Sequence, residues 1–246
     1  MMACEAPEAD PLDNLVLSKR AGVGNWINNG LHVPEVSGID PAHPLSTPQG
    51  MSETHGVLAD PDTLAAARYL VECALPTGAS IVKHVGGDAV VLGGHLGLAP
   101  EWEDGSCDED CQQWVSACML ARTNISDQTV VISLHADHPN IGTATHPAYP
   151  IYEASYFGNL FSTSAPKYIC TGSAEATAQA DLAGRTCSVD PESCDFEEFD
   201  DCFQLPRCGA IFDDGDPTAA DCMAEGDPTP YNTITTYITA SYGDDD

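Results

Sequence analysis

The residues best suited to hold a transition metal lie close together in the middle of the chain: His135, Asp137, His138 and His146. Imidazole nitrogens and a carboxylate oxygen suit Zn²⁺ or Cu²⁺. If a strand ends at the first histidine and the following loop doubles back, these side chains can meet around one ion. That arrangement would indicate a secreted metal-dependent hydrolase or oxidase. The prolines at 139 and 147 also fit an ordinary rigid loop without a metal.

Oxygen ligands for Ca²⁺ are concentrated nearer the C-terminus, in a segment that contains Gly215: Asp213, Asp214, Asp216 and Asp221. Ca²⁺ takes about six to eight oxygen atoms, and a glycine can bend the loop that supplies them. The order of residues departs from an EF-hand, because no glutamate closes the loop. A second acidic group is a weaker candidate: Asp104, Asp108, Glu109 and Asp110. For both groups the alternative is a solvated acidic surface.

Aromatic side chains offer a third kind of site. Trp102 stands beside Glu101, and Tyr152 and Tyr156 belong to a tyrosine-rich segment. Such rings can stack on sugars, so the pattern allows a carbohydrate-binding module, and core packing is the alternative. No G-x-S-x-G motif for a serine nucleophile is present. We therefore expect a binding or structural role in preference to an enzymatic one.

The cysteines indicate the compartment. The chain has eleven, with no C-x-x-C motif, which favours disulfides in an oxidising environment over zinc ribbons or cytosolic redox chemistry. Cys4 follows a small residue and precedes an acidic, proline-containing stretch, as at the lipidation site of a bacterial lipoprotein. The other ten cysteines can form five bridges, whose pairing the sequence leaves open: Cys73, Cys107, Cys111, Cys118, Cys170, Cys187, Cys194, Cys202, Cys208 and Cys222.

The charge balance excludes some partners. The 246 residues contain 38 Asp and Glu against 8 Lys and Arg, a formal net charge of -30. Nucleic-acid binding is excluded, because neutralising phosphates requires clustered Lys and Arg. Anionic lipid is an equally poor electrostatic partner, so a membrane would be reached only through an N-terminal lipid. An acidic surface with ordinary apolar content also fits a salt-adapted protein that is destabilised by self-repulsion at low ionic strength.

Hydrophobic periodicity predicts an α+β fold with a small mixed or antiparallel sheet and two main helices. The helices are expected from Asp60 and across the segment CQQWVSACMLAR, and SIVKHV and AVVLGG are expected to pair as a hairpin. Residues 1–59 show no sustained period and are predicted to be an irregular leader or tether. Residues 60–246 then form one domain, with an acidic, disulfide-stapled loop region at 187–222 and a strand at 231–241 that returns to the sheet.

Five segments carry a resemblance to a known group of proteins: YLVECALPTG, GHLGLAPEW, CQQWVSACMLARTN, IYEASYFGNLF and KYICTG. Over about residues 65–210 the chain resembles uncharacterised Cys-rich secreted lipoproteins of myxobacterial type. The resemblance implies an exported bacterial protein, extracellular or anchored in the outer membrane. It assigns no activity to any residue.

Overall fold

The structure, a computed structural model, describes residues 25–240 except 62, 127, 200, 204–206 and 214–215. Cys4, the predicted lipidation site, lies outside the described residues. The helices are α1 (Leu64–Ala74), α2 (Glu109–Ala121), α3 (Ala174–Leu182) and α4 (Thr186–Val189). The strands are β1 (Asn25–Asn28), β2 (Ser80–Val85), β3 (Asp88–Gly93), β4 (Val131–His135), β5 (Ile151–Gly158), β6 (Lys167–Thr171), β7 (Glu197–Phe199), β8 (Gly209–Asp213), β9 (Asp216–Ala220) and β10 (Thr233–Ile238).

A six-stranded sheet forms the centre of the molecule, in the order β1-β4-β10-β5-β6-β7. Every neighbouring pair in it is antiparallel except β6 with β7. Two hairpins, β2–β3 and β8–β9, make separate small sheets. The predicted α+β class with a mixed sheet is confirmed.

The helix α2 packs against the central sheet and is buried along most of its length. Asp108 caps it, since its side chain accepts a hydrogen bond of 3.1 Å from the backbone N–H of Cys111. Glu109 and Asp110 follow in the first turn, where carboxylates stabilise the positive end of the helix dipole. The other main helix, α1, begins at Leu64, later than the expected start at Asp60, because the backbone N–H groups of Thr63 and Leu64 first bond to the carbonyl of Asp60 in a turn.

The strand predicted near the C-terminus is confirmed as β10, and it lies in the middle of the sheet between β4 and β5. All six of its residues are buried, although three of them are threonines, of which Thr233 and Thr235 share one face. The hairpin strand β9 packs on the threonine face. There Thr235 Oγ1 accepts a hydrogen bond from the backbone N–H of Ala219, and Thr233 Oγ1 accepts one from that of Cys222. The face that carries Thr233 and Thr235 is therefore buried as well, and the hydroxyl groups of both threonines are hydrogen-bonded.

The predicted tether at residues 1–59 needs correction in its described part. Strand β1 forms the edge of the central sheet, and Leu45 and Met51 are fully buried in the main core. Lys83 is also buried, and its Nζ donates hydrogen bonds of 2.6 and 3.1 Å to the carbonyl oxygens of Thr47 and Met51. Residues 25–59 thus belong to the domain, held by apolar anchors and main-chain bonds that show no helical or strand period.

Five disulfides are present, and they pair all ten cysteines predicted to be cross-linked. The pairs are Cys73–Cys118, Cys107–Cys111, Cys170–Cys202, Cys187–Cys194 and Cys208–Cys222. Three of them staple the acidic region at 187–222. That region also has a small apolar core of its own, where Phe157, Phe199 and Ala219 surround two of the bridges. Among the described residues no helix is long and apolar enough to cross a membrane.

Candidate functional site

His135 ends the central strand β4 and is fully buried. Its ring stacks on that of Tyr237 with 4.3 Å between centroids, and its Nε2 lies 3.1 Å from Ser133 Oγ. Burial lowers the pKa of His135 to about 4, so the imidazole is neutral at ordinary pH. It is a core residue that contributes to packing within the sheet.

His138 packs edge-on against Trp114, with 4.9 Å between ring centroids. Its Nδ1 accepts a hydrogen bond of 3.1 Å from the backbone N–H of Asn140, and its ring also bonds the main chain of Leu98. Burial lowers the pKa of His138, although the charges of Asp110 and other nearby carboxylates oppose the effect. Because its ring bonds to main-chain groups, His138 stabilises the conformation of the loop after β4.

The predicted transition-metal site is not formed. His146 Nδ1 accepts a hydrogen bond of 3.1 Å from the backbone N–H of Ala148 within its own loop. Across the described part of the chain, the only three or more His, Cys, Asp or Glu ligand atoms that lie within 4.8 Å of one another belong to cysteines. The four predicted ligands, His135, Asp137, His138 and His146, therefore do not converge. The strand buries the first, and the rings of His138 and His146 bond to main-chain groups of their own loops.

The predicted calcium loop is also divided by the fold. Strands β8 and β9 form a hairpin that closes at the pair Asp213 and Asp216, whereas Asp221 follows the far end of β9. Five strand residues span about 16 Å, so Asp221 cannot share an ion with the turn. Asp214 lies outside the described residues.

The predicted sugar platform lies inside the protein. Trp102 is fully buried, its Nε1 donates to the carbonyl of His43, and its ring meets that of Phe161 edge-on. Tyr156 is fully buried as well, and the Tyr152 hydroxyl lies within hydrogen-bond distance of Ser155 Oγ. Trp102 and Tyr156 pack the core and present no face on which a sugar could stack, whereas Tyr152 is half-buried and packs against Phe203 and Tyr237.

Four of the predicted residues nevertheless meet at one place. Asp137, His138 and Asp221 line a cavity of about 420 Å³, together with Asp110, Trp114 and Asn232. We call this the acidic cavity. It brings together one residue pair from the predicted histidine site, one residue from the predicted calcium loop, and one from the weaker acidic group.

The topology explains why these segments converge. Strands β4 and β10 are antiparallel neighbours. The loop after β4 and the residues that lead into β10 therefore lie at the same end of these two strands. Asn232 connects that end of the strands to the first turns of α2 by hydrogen bonds. Its Nδ2 donates 2.9 Å to Asp110 Oδ1, and its backbone N–H donates 3.0 Å to Gln113 Oε1. The end of β9 closes the remaining side.

The electrostatics of the acidic cavity are one-sided. Asp110, Asp137 and Asp221 contribute carboxylates, and no lysine or arginine is among the residues that line it. Asp221 adopts a left-handed backbone with φ 51°, which aspartate tolerates better than most residues. Since its carboxylates do not converge within 4.8 Å, the cavity suits spaced positive charges better than one bare metal ion. Sequence reasoning missed Trp114 and Asn232, which carry no motif.

A second feature that sequence reasoning missed is a buried ion pair. Arg185 and Glu153 are both fully buried, and Arg185 Nε donates 2.6 Å to Glu153 Oε1. The same guanidinium donates to the Tyr156 hydroxyl and to the carbonyls of Ala121 and Thr123. The pair is closed to solvent, so it holds the end of α2 on the sheet and offers nothing to a ligand.

The one group with metal-ligand spacing consists of Cys170, Cys202 and Cys208, whose sulfur atoms lie within 4.8 Å of one another. All three are bonded in disulfides. A disulfide sulfur is not a thiolate, so in this oxidised state the group is not a metal site.

Comparison with known proteins does not identify a family for the chain. No known protein family, no curated protein and no solved structure matches the chain.

Proposed function

We propose that the protein is an exported, lipid-anchored bacterial binding protein whose acidic cavity takes an organic cation with more than one amine. The observation that carries the proposal is the acidic cavity itself, where three carboxylates surround about 420 Å³ without a compensating basic residue. Opposite charge in such a confined space raises the local concentration of a cationic ligand and speeds its capture.

A polyamine is favoured over a bare Ca²⁺ ion. Ca²⁺ needs several oxygen atoms at about 2.3–2.6 Å from one point, whereas these carboxylates stand apart on α2, the loop after β4 and the end of β9. Ammonium groups separated by a methylene chain can reach carboxylates that are spaced in this way. Trp114 in the wall adds an aromatic surface for the methylene groups.

Export and anchoring rest on separate support. Five disulfides are typical of proteins that fold in an oxidising compartment. Acylation at Cys4 would place the domain on the outer membrane, with its net charge of -30 keeping it hydrated and away from anionic lipid. Mass spectrometry of the chain from its native membrane, with a Cys4→Ala variant as control, tests the anchor.

Isothermal titration with spermidine at fixed physiological ionic strength tests the cavity. We expect one site per chain, weakened about three- to tenfold when Asp137 and Asp221 are both changed to Asn, since both carboxylates are on exposed residues and each such charge contact contributes about 0.3–1 kcal/mol. The matched control is the double variant Asp88→Asn with Asp181→Asn, which also removes two charges, from the exposed turn of the β2–β3 hairpin and from α3. Equal weakening in both variants would mean diffuse attraction to an acidic surface. A Ca²⁺ affinity that depends on the same two residues, without spermidine binding, would replace the polyamine by the metal.

A further inference from the structure

Two disulfides are in contact inside the C-terminal region. Cys170–Cys202 joins β6 to the segment after β7, and Cys208–Cys222 lies at the open end of the β8–β9 hairpin. The Cys208 sulfur lies within 4.8 Å of both sulfurs of the first bridge. Among the described residues, no other disulfide has a third cysteine sulfur within 4.8 Å of both of its own sulfurs.

The two bridges differ in access to solvent. Cys170, Cys202 and Cys222 are fully buried, whereas Cys208 is half-buried. A reductant in solution therefore meets the Cys208 sulfur first. The preceding residue in the chain is Arg207, which brings a positive charge to this segment, and nearby positive charge favours a thiolate. The Arg207 guanidinium lies 3.9 Å over the ring of Phe199, which is the β-sheet partner of Cys170.

A hydroxyl lies beside the sulfur that would leave. Tyr152 Oη is 3.0 Å from Cys202 Sγ. Burial raises the pKa of Tyr152, so the hydroxyl keeps its proton and can donate to a thiolate formed at Cys202. An attack on the Cys170 sulfur would thus generate a leaving group that already has a hydrogen-bond donor.

We propose that these two bridges form a thiol–disulfide exchange pair, in which a dithiol reductant opens Cys208–Cys222 and the Cys208 thiolate then attacks Cys170. The first thiolate of the dithiol bonds to the Cys208 sulfur and releases Cys222. The second thiolate of the dithiol closes its own disulfide and releases Cys208. The dithiol is oxidised by two electrons, and the protein bridge is reduced by two electrons.

The second step moves the remaining bridge without further redox change. A Cys208–Cys170 bond forms, the Cys170–Cys202 bond breaks, and its electron pair stays on Cys202, which takes the proton from solvent. The outcome is one relocated disulfide that fastens the hairpin directly to β6. This inference is independent of the acidic cavity.

A Cys222→Ala variant tests the exchange, because it leaves Cys208 permanently free beside the intact neighbouring bridge. The folded variant is quenched in acid, which prevents scrambling. It is then unfolded in guanidinium chloride near neutral pH with iodoacetamide in excess, so that buried thiols are also alkylated, and digested with pepsin in acid. We expect the label on Cys202 as well as Cys208, with a Cys208–Cys170 crosslink. Label on Cys208 alone, with Cys170–Cys202 intact, would overturn the proposal. Cys194→Ala is the matched control, since it frees Cys187 away from any second bridge, and only Cys187 should be labelled.

The wild-type chain gives the same test without a substitution, which matters if the variant does not fold. One equivalent of dithiothreitol is added, and the products are alkylated and mapped in the same way. A Cys208–Cys170 crosslink is the expected new product, and it should form several-fold more slowly in Tyr152→Phe. Products that carry only native crosslinks would overturn the proposal.

Discussion

Glu153 and Arg185 form an ion pair of 2.6 Å in which both side chains have 0% solvent exposure. The pair connects β5 with the segment that enters α4, and the same guanidinium bonds the last carbonyls of α2. One arginine therefore connects three elements, β5, α2 and the start of α4. Such a pair is costly to bury but far more costly to break, because either partner alone is an uncompensated charge.

Replacing the carboxylate alone should destabilise the fold strongly. Glu153→Gln leaves the Arg185 guanidinium without its counter-charge, and we expect a loss of about 3–5 kcal/mol in the free energy of unfolding, measured by urea titration. Asp195→Asn breaks an exposed pair with Lys167 and is the matched control, with an expected loss of about 0–1 kcal/mol. Equal losses in the two variants would contradict the structural role assigned to the buried pair.

His135 should make the fold sensitive to acid. Its folded pKa of about 4 lies below the unfolded value of 6.5, so between these values the unfolded chain binds a proton that the folded chain does not. Stability therefore falls as the pH drops from 6.5 towards 4. We expect urea titrations across this range to show a shallower pH dependence in His135→Gln than in the wild type. The exposed His32→Gln should keep the wild-type slope, and an unchanged slope in His135→Gln would argue against the burial of this ring.

Lys83 should make the stability of the fold depend on pH in the alkaline range. Desolvation lowers its folded pKa to about 8, against 10.5 in the unfolded chain. The unfolded chain binds more protons between these values, so stability rises as the pH increases above 8. Denaturant titrations from pH 7.5 to 9.5 should show this rise in the wild type and lose it in Lys83→Met. The substitution should also lower stability throughout, because Thr47 and Met51 lose the donor to their carbonyls.

The disulfides should contribute unequally to stability. Cys73–Cys118 spans 45 residues and fastens α1 to α2, whereas Cys107–Cys111 spans 4. Restricting the unfolded chain gives about 4 kcal/mol for the longer loop and about 2 kcal/mol for the shorter one. Paired Cys→Ala variants compared by urea titration should reproduce this order. A larger loss from the short bridge would show that native-state contacts around it outweigh chain entropy.

Local patterns predicted the elements whose sequence carries a period or a cap. Asp108 marks the start of α2, the Gly86–Gly87 turn marks the β2–β3 hairpin, and the alternation at 231–241 marks β10. Nothing local could show that β10 occupies the centre of the sheet. Its threonines look solvent-exposed in sequence, and only β9 packing on them reveals a second buried face.

The parts that sequence reasoning missed depend on contacts between distant segments. Leu45 and Met51 anchor an aperiodic segment by their burial in the core, and Lys83, more than thirty residues away, bonds the carbonyls of Thr47 and Met51. No local period marks these contacts, so residues 25–59 resembled a tether. The acidic cavity takes Asp110, Asp137 and Asp221 from three elements that only the sheet topology brings together. The residue types in each segment suggested metal ligands. Local hydrogen bonds and the directions of the strands determine where these side chains lie, and neither can be read from residue type.

The state of the ten paired cysteines tests the export and the fold most directly. The native protein, unfolded in guanidinium chloride near neutral pH without reductant and with a maleimide in excess, should take up no label on residues 73 through 222. Digestion without reduction should then give the five crosslinks of the structure. Free thiols at these positions, or a different set of crosslinks, would contradict the oxidised fold and the compartment inferred from it.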